Sequence, residues 1–223
     1  RMVNADVVGV GSILHMVPSC YHGTILGSGL IAENDAREYP FANLLLVRGY
    51  KTRQLCKMNN YVSVGDPGLI ADIIYADHIA NKKIWDTGVV PHYHDFISQD
   101  LERVIKKSSN ATHIIDVRRA PADVVREISQ CRSVVSSSLH GLIVADSLGI
   151  PSCWIKTSNS IIGNGFKYHD YYSCFGEQKA PLEISRFDSV DAMASHASLL
   201  ANDKLQQIKA SIQVAFAAFV SSQ

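Results

Sequence analysis

The chain has 223 residues, enough for one large domain or two modest ones with ample apolar content for a core. Its 21 basic and 21 acidic residues leave a formal charge of zero, which argues against a nucleic-acid phosphate track while leaving room for a local basic pocket. Five cysteines, at 20, 56, 131, 153 and 174, form no CxxC pair and are odd in number, so buried thiols in a reducing compartment are expected rather than a disulfide frame.

Taken in chain order, short β-rich apolar runs appear at Val7–Val10, Thr24–Leu26 and Leu44–Val47. Asp66-Pro67-Gly68 reads as a turn. A polar stretch, "YADHIANKK" from Tyr75 to Lys83, then interrupts the pattern before Thr87–Val90 and Ile114–Val117. These runs are continuous rather than alternating, as in strands buried on both faces of a parallel sheet. Pro121 suits a first helical turn, after which Val124, Val125, Ile128 and Cys131 share one face. Val134-Val135 predicts a strand, Leu142–Leu148 a helix ended by Gly149, and Pro151 opens a further strand. From Ile114 onward the order is strand, helix, strand, helix, strand, so the fold class is α/β with parallel pairing. Near the end, Leu205, Ile208, Ile212, Ala215 and Phe219 lie on one helical stripe. The expected division is an N-terminal α/β unit at 1–80, short of strands and abbreviated, a C-terminal α/β unit at 81–202, and a helix at 203–223 packing on the body. No run approaches the roughly 18 apolar residues of a spanning helix, and no signal-peptide pattern opens the chain, so a soluble, cytoplasmic protein is expected.

The chemistry concentrates in "SSSLHGLIVADSLGIPSCW", residues 136–154. Ser136 to His140 lie past the carboxyl end of a predicted strand and at the start of a helix, where open α/β sheets bind ligands. A helix start also offers N–H groups and partial positive charge to a phosphate or carboxylate. His140 can transfer a proton or contact an anion there; capping the helix is the equally weighted ordinary role. Neither "GVGSIL" nor "GSGL" completes G-x-G-x-x-G, and G-x-S-x-G is absent, so a dinucleotide site and a serine nucleophile are set aside. No H-x-x-x-H or Cys/His cluster calls for a metal.

"SSSLHGLIVADSLGIP" resembles the S-x-LHG-x-I-x-A-x-x-x-GIP signature of the polysaccharide pyruvyl transferases. Further segments resemble that family in the same order: "VGVGSIL" (8–14), "TILGSGL" (24–30), "LLVRGYKT" (45–52), "VSVGDPGLI" (62–70), "GVVPHYHD" (88–95) and "GFKYHDYY" (165–172). An N-F-G-D type opening has no counterpart. The resemblance implies two Rossmann-like parallel-sheet units in a GT-B-like arrangement, the N-terminal one on the acceptor side and the C-terminal one on the donor side. It implies transfer of pyruvate from phosphoenolpyruvate to a sugar of a bacterial exopolysaccharide or other surface glycan, as a ketal and with release of phosphate. No further cofactor is implied. The partners implied are phosphoenolpyruvate and a glycan or lipid-linked oligosaccharide acceptor, met at the inner face of the cytoplasmic membrane, with no nucleic acid.

By the same resemblance Arg48, His140 and Lys167 hold the donor, His140 and Arg48 act in catalysis, and Ser138, Leu139, Gly141 and His92 complete the substrate site. A guanidinium and an ammonium match the phosphate and carboxylate of such a donor, and an imidazole titrates near neutrality. The ordinary readings are a surface ion pair for Arg48, a solvated lysine at 167, and a loop anchored by Asp170 and Tyr171. His78, His113, His169 and His196 read as surface or packing residues. The rival functions are a GT-B-type nucleotide-sugar glycosyltransferase or epimerase, and a glycan-binding relative without catalysis.

Overall fold

A computed structural model describes residues 5–95, 98–157 and 162–222, with the backbone alone at 162. The chain forms strands β1 (Val7–Val8), β2 (Thr24–Leu26) and β3 (Asn43–Val47), helix α1 (Tyr50–Leu55), strand β4 (Ser63–Val64) and helix α2 (Ala71–Ile74). Next come β5 (Trp85–Val90), α3 (Gln99–Lys106), β6 (Thr112–Ile114), α4 (Pro121–Ser129), β7 (Cys131–Ser136), α5 (Leu139–Ser147) and β8 (Ser152–Lys156). Helix α6 (Phe166–Ser173), β9 (Leu182–Glu183), α7 (Val190–Ala194) and α8 (Asn202–Ser221) complete it. At the expected Asp66-Pro67-Gly68 turn the chain winds into a short 3₁₀ segment, Pro67–Ile70.

Two compact units result, and they are not consecutive in sequence. The first takes residues 1–67, 161–179 and 201–223; the second takes 68–160 and 180–200. The segment carrying Lys167 therefore folds with the N-terminal sheet rather than with the later one.

In the first unit four strands pair in parallel in the order β1-β2-β3-β4. The two-residue β4 carries no long apolar run, which is why the sequence pattern credits this unit with too few strands. Helix α8 buries Leu205, Ile208, Ile212 and Ala215, with Phe219 half-buried at the end of the same stripe. The contact with the sheet is close: at Gly65, with φ +147°, an added Cβ would stand 2.8 Å from Ile212 Cγ1 and 2.9 Å from Ile208 Cγ2. Only glycine fits both the backbone and the space.

In the second unit five parallel strands run in the order β6-β5-β7-β8-β9. Successive side chains of a strand point to opposite faces, so β5 and β7 feed two cores. Val89 and Val135 pack with Leu101, Val104, Ile155, Val190 and Met193 on one face. Val90 and Val134 pack with Ile115, Ile128, Ala145 and Ile150 on the other. Pro121 stands at the first position of α4, as expected of a residue lacking the N–H that a helix start leaves unused. Helix α5 is apolar around most of its girth because most of it is buried, and Gly149 ends it with φ +63°.

Candidate functional site

The second unit brings most of the predicted site residues together. After β5 the chain runs to β6 on one side, then crosses back to place β7 on the other, so the strand order reverses between β5 and β7. A crevice opens outside the carboxyl ends at such a reversal. "PHYHD" follows β5 there, and "SSLHG" follows β7.

A set of hydroxyl contacts holds these two ends. The buried Ser136 hydroxyl lies 2.8 Å from the carbonyl oxygens of both Val90 and Ser138, and accepts from the Ser138 N–H at 3.0 Å. Ser137 accepts from the His92 N–H at 2.9 Å and donates to Asp95 Oδ2 at 2.6 Å. Asp95 is itself buried, and its N–H donates to the His92 carbonyl at 2.7 Å. The serine triplet thus serves as joinery between strand ends, not as a nucleophile.

Leu139 is buried and anchors the first turn of α5, while His140, next to it, is exposed. Ser138 occupies the N-cap without bonding its side chain to the helix. At Gly141 a Cβ would stand 2.5 Å from Ser136 Oγ and 2.7 Å from Val90 Cγ1. The LHG glycine is what lets the start of α5 sit directly on the ends of β5 and β7. His92 is half-buried, its ring 5.5 Å from that of His94 and stacked on it. The result is a helix start bearing one exposed imidazole, with a second imidazole bound through its backbone to Ser137. This chemistry suits a small anion and a proton transfer.

Arg48 and Lys167 belong to the first unit. Arg48 is not a surface ion pair: it is fully buried, as is Asp170, and its Nε and Nη2 both lie 2.9 Å from Asp170 Oδ2. Its remaining bonds go to the Ser12 hydroxyl and the Leu30 carbonyl. Asp170 also accepts from the Thr52 N–H and the Thr52 hydroxyl, each at 2.7 Å, and so caps the start of α1 from another part of the chain. The guanidinium is thus committed within the fold.

The neighbouring glycines explain why this pair can exist. A Cβ at Gly29 would stand 2.4 Å from the guanidinium carbon, and one at Gly49 would stand 2.0 Å from the Asp170 carbonyl oxygen. Four segments, "VGVGS", "GSGL", "VRGYKT" and "KYHDYY", close on one buried ion pair. Lys167, half-buried in the first turn of α6, holds its ammonium 5.2 Å from the centre of the Tyr168 ring.

Asp95 is the site residue that single-sequence reasoning did not single out; its signal was its place at the end of "PHYHD". The sequence also placed His169 among packing residues. It lines a hollow of the first unit with Lys51, and burial, then the Lys51 charge, holds its imidazole below the ordinary value.

Comparison with known proteins places the chain in a family. The family model described as polysaccharide pyruvyl transferase matches residues 32–159, more than half of the chain, and the chain belongs to that family. It is 28% identical over 195 residues to the succinoglycan biosynthesis protein ExoV of Rhizobium meliloti, covering 84% of this chain and 59% of that protein. It is 27% identical over 207 residues to uncharacterized protein L143 of Acanthamoeba polyphaga mimivirus, covering 85% of this chain and 71% of that one. No solved structure matches. No described helix is long and apolar enough to cross a membrane.

Proposed function

We propose that the protein transfers pyruvate from phosphoenolpyruvate to a hexose diol of a growing surface glycan, forming a cyclic ketal. The observation that carries this reading is the exposed His140 at the start of α5, beside the carboxyl ends of β5 and β7, in a chain of the pyruvyl transferase family.

The helix start and its imidazole receive the anionic donor, and His140 delivers a proton to the vinyl CH₂ carbon, which becomes the methyl group. The adjacent carbon then carries oxocarbenium character and is attacked by one sugar hydroxyl. Phosphate leaves as its C–O bond breaks, and the second hydroxyl closes the ring on the same carbon. Of the two hydroxyl protons, one restores His140 and the other departs with phosphate, so the reaction balances with no other reagent. Ser137 and Asp95 fix the His92 segment beside α5, and Gly141 sets the depth of the helix start. Arg48 serves through Asp170 as the organiser of the helix that carries Lys167. The acceptor in this reading is carried on a lipid and met on the cytoplasmic side.

The test is phosphate release from phosphoenolpyruvate with a panel of hexosides and defined oligosaccharides, and detection of the ketal methyl signal by NMR. His140→Ala should lower turnover by about 10²–10⁴-fold, the usual contribution of a general acid, with the fold intact because the side chain is exposed. Turnover equal to the unaltered protein overturns the assignment.

A further inference from the structure

The first unit contains a hollow of about 380 Å³ lined by Ala32, Glu33, Asn34, Lys51, Gly163, Asn164, Phe166 and His169. That volume sits at the lower end of the roughly 300–1,000 Å³ typical of small-ligand pockets. Its position follows the α/β rule. Ala32 to Asn34 come after the carboxyl end of β2, and Lys51 lies in α1, just after the carboxyl end of β3. A second hollow of about 330 Å³ takes in Asn43 and Leu44, at the amino end of β3, the side that such sheets do not use for ligands.

The wall has been shaped at some cost. Gly163, Asn164 and Gly165 are consecutive residues with φ of 76°, 48° and 80°. Asn164 is one of two non-glycine residues with positive φ among the described residues. A Cβ at Gly163 would stand 2.2 Å from the Ile31 carbonyl, so the left-handed stretch lies tight against the chain leaving β2. A strained asparagine facing a hollow is the kind of feature found at ligand clamps.

The lining also tells what fits. Asn34 and Asn164 each donate and accept, Glu33 accepts, Lys51 donates, and neutral His169 does one of each. Buried Phe166 gives an apolar face. Among the described lining residues one ammonium and one carboxylate cancel, which disfavours a dianion such as phosphoenolpyruvate. A neutral ring bearing hydroxyls, each both donor and acceptor, matches this set.

We infer that this hollow seats one hexose ring of the glycan acceptor, with Asn164, Asn34 and Glu33 reading its hydroxyls and Lys51 and His169 closing the rim. The substrate class rests on the proposed transfer reaction; the site itself rests on the lining.

The experiment titrates the full chain with methyl glucopyranoside, methyl galactopyranoside and methyl mannopyranoside, and separately with phosphoenolpyruvate, by saturation-transfer NMR and thermal shift. Asn164→Gly is the key variant, because glycine keeps the left-handed backbone and removes only the amide. Lys51→Met is its companion. At least one hexoside should bind, and each variant should weaken it about tenfold, the effect of losing a hydrogen bond within a formed site. The phosphoenolpyruvate response should stay unchanged. Binding of no hexoside, hexoside binding insensitive to both variants, or loss of the phosphoenolpyruvate response in either variant overturns the inference. If hexosides bind here as expected but no sugar elicits phosphate release, the transferase reading fails and the hollow stands as a glycan site.

Discussion

Removing either partner of the Arg48–Asp170 pair should be the most damaging single change in the first unit. Both side chains have no exposure, and at 2.9 Å their mutual attraction is about 6 kcal/mol for an effective dielectric of about 20. Desolvation offsets much of that in the intact pair, but a lone buried charge retains the penalty without the attraction. Arg48→Met and Asp170→Asn should therefore each cost about 3–5 kcal/mol. Arg48→Met/Asp170→Asn together should cost less than the sum by about 1–3 kcal/mol, since the second change removes the charge that the first left stranded. Both tryptophans, Trp85 and Trp154, lie in the second unit and will not report on the site directly. Urea titrations should instead follow the near-UV signal of Tyr168, Tyr171 and Tyr172, which are buried around Asp170. Amide exchange at Thr52, whose N–H bonds to Asp170, gives a second local readout. Single variants losing less than about 1 kcal/mol, or strictly additive losses, would refute the claim that this pair holds the four segments together.

Three further outcomes are expected. Gly141→Ala pushes a methyl into Ser136 and Val90, so it should destabilise the second unit by about 1–3 kcal/mol and depress turnover more than phosphoenolpyruvate binding; an unchanged melting temperature refutes the packing argument. Native thiol titration should find Cys20 reacting fast and the others slowly, because Cys20 is exposed, whereas burial pushes Cys56 up to about 11, Cys131 up to about 12 and Cys174 higher still. His169 is held below its ordinary 6.5, so the unfolded chain takes up its proton first as pH falls. Stability should drop as pH descends through 6.5 toward the folded value, and His169→Gln should flatten that part of a melting-temperature profile between pH 7.5 and 5.5.

The second unit is largely legible in the sequence, because its elements are marked locally. Pro121 starts α4, Gly149 stops α5, and the adjacent valines of β5 and β7 are long enough to read as buried strands. β6 runs over Thr112–Ile114, ahead of the expected Ile114–Val117, because pairing with Thr87–Val89 fixes the register and Asp116 is drawn into contacts with Arg118. β4 and β9, two residues each, carry no periodicity to read. In the site, the position of His140 follows from the strand-turn-helix pattern. The partnership of Arg48 with Asp170 does not, since 122 residues separate them and neither lies in a periodic segment that would pair them. Bare pattern suggests a surface ion pair for Arg48 and a loop anchor for Asp170, and the structure joins those two roles in one buried contact. The hollow at Asn164 was invisible for a similar reason: it depends on backbone handedness at three residues, and the sequence shows only two glycines flanking an asparagine.

The first unit is assembled from three separated stretches of chain, with α8 lying across β3 and β4. During synthesis the strands of the first sheet precede the second unit, yet the helix that covers them follows every residue of that unit. The second unit therefore has all of its residues at a stage when the first still lacks the helix that buries Leu205, Ile208, Ile212 and Ala215.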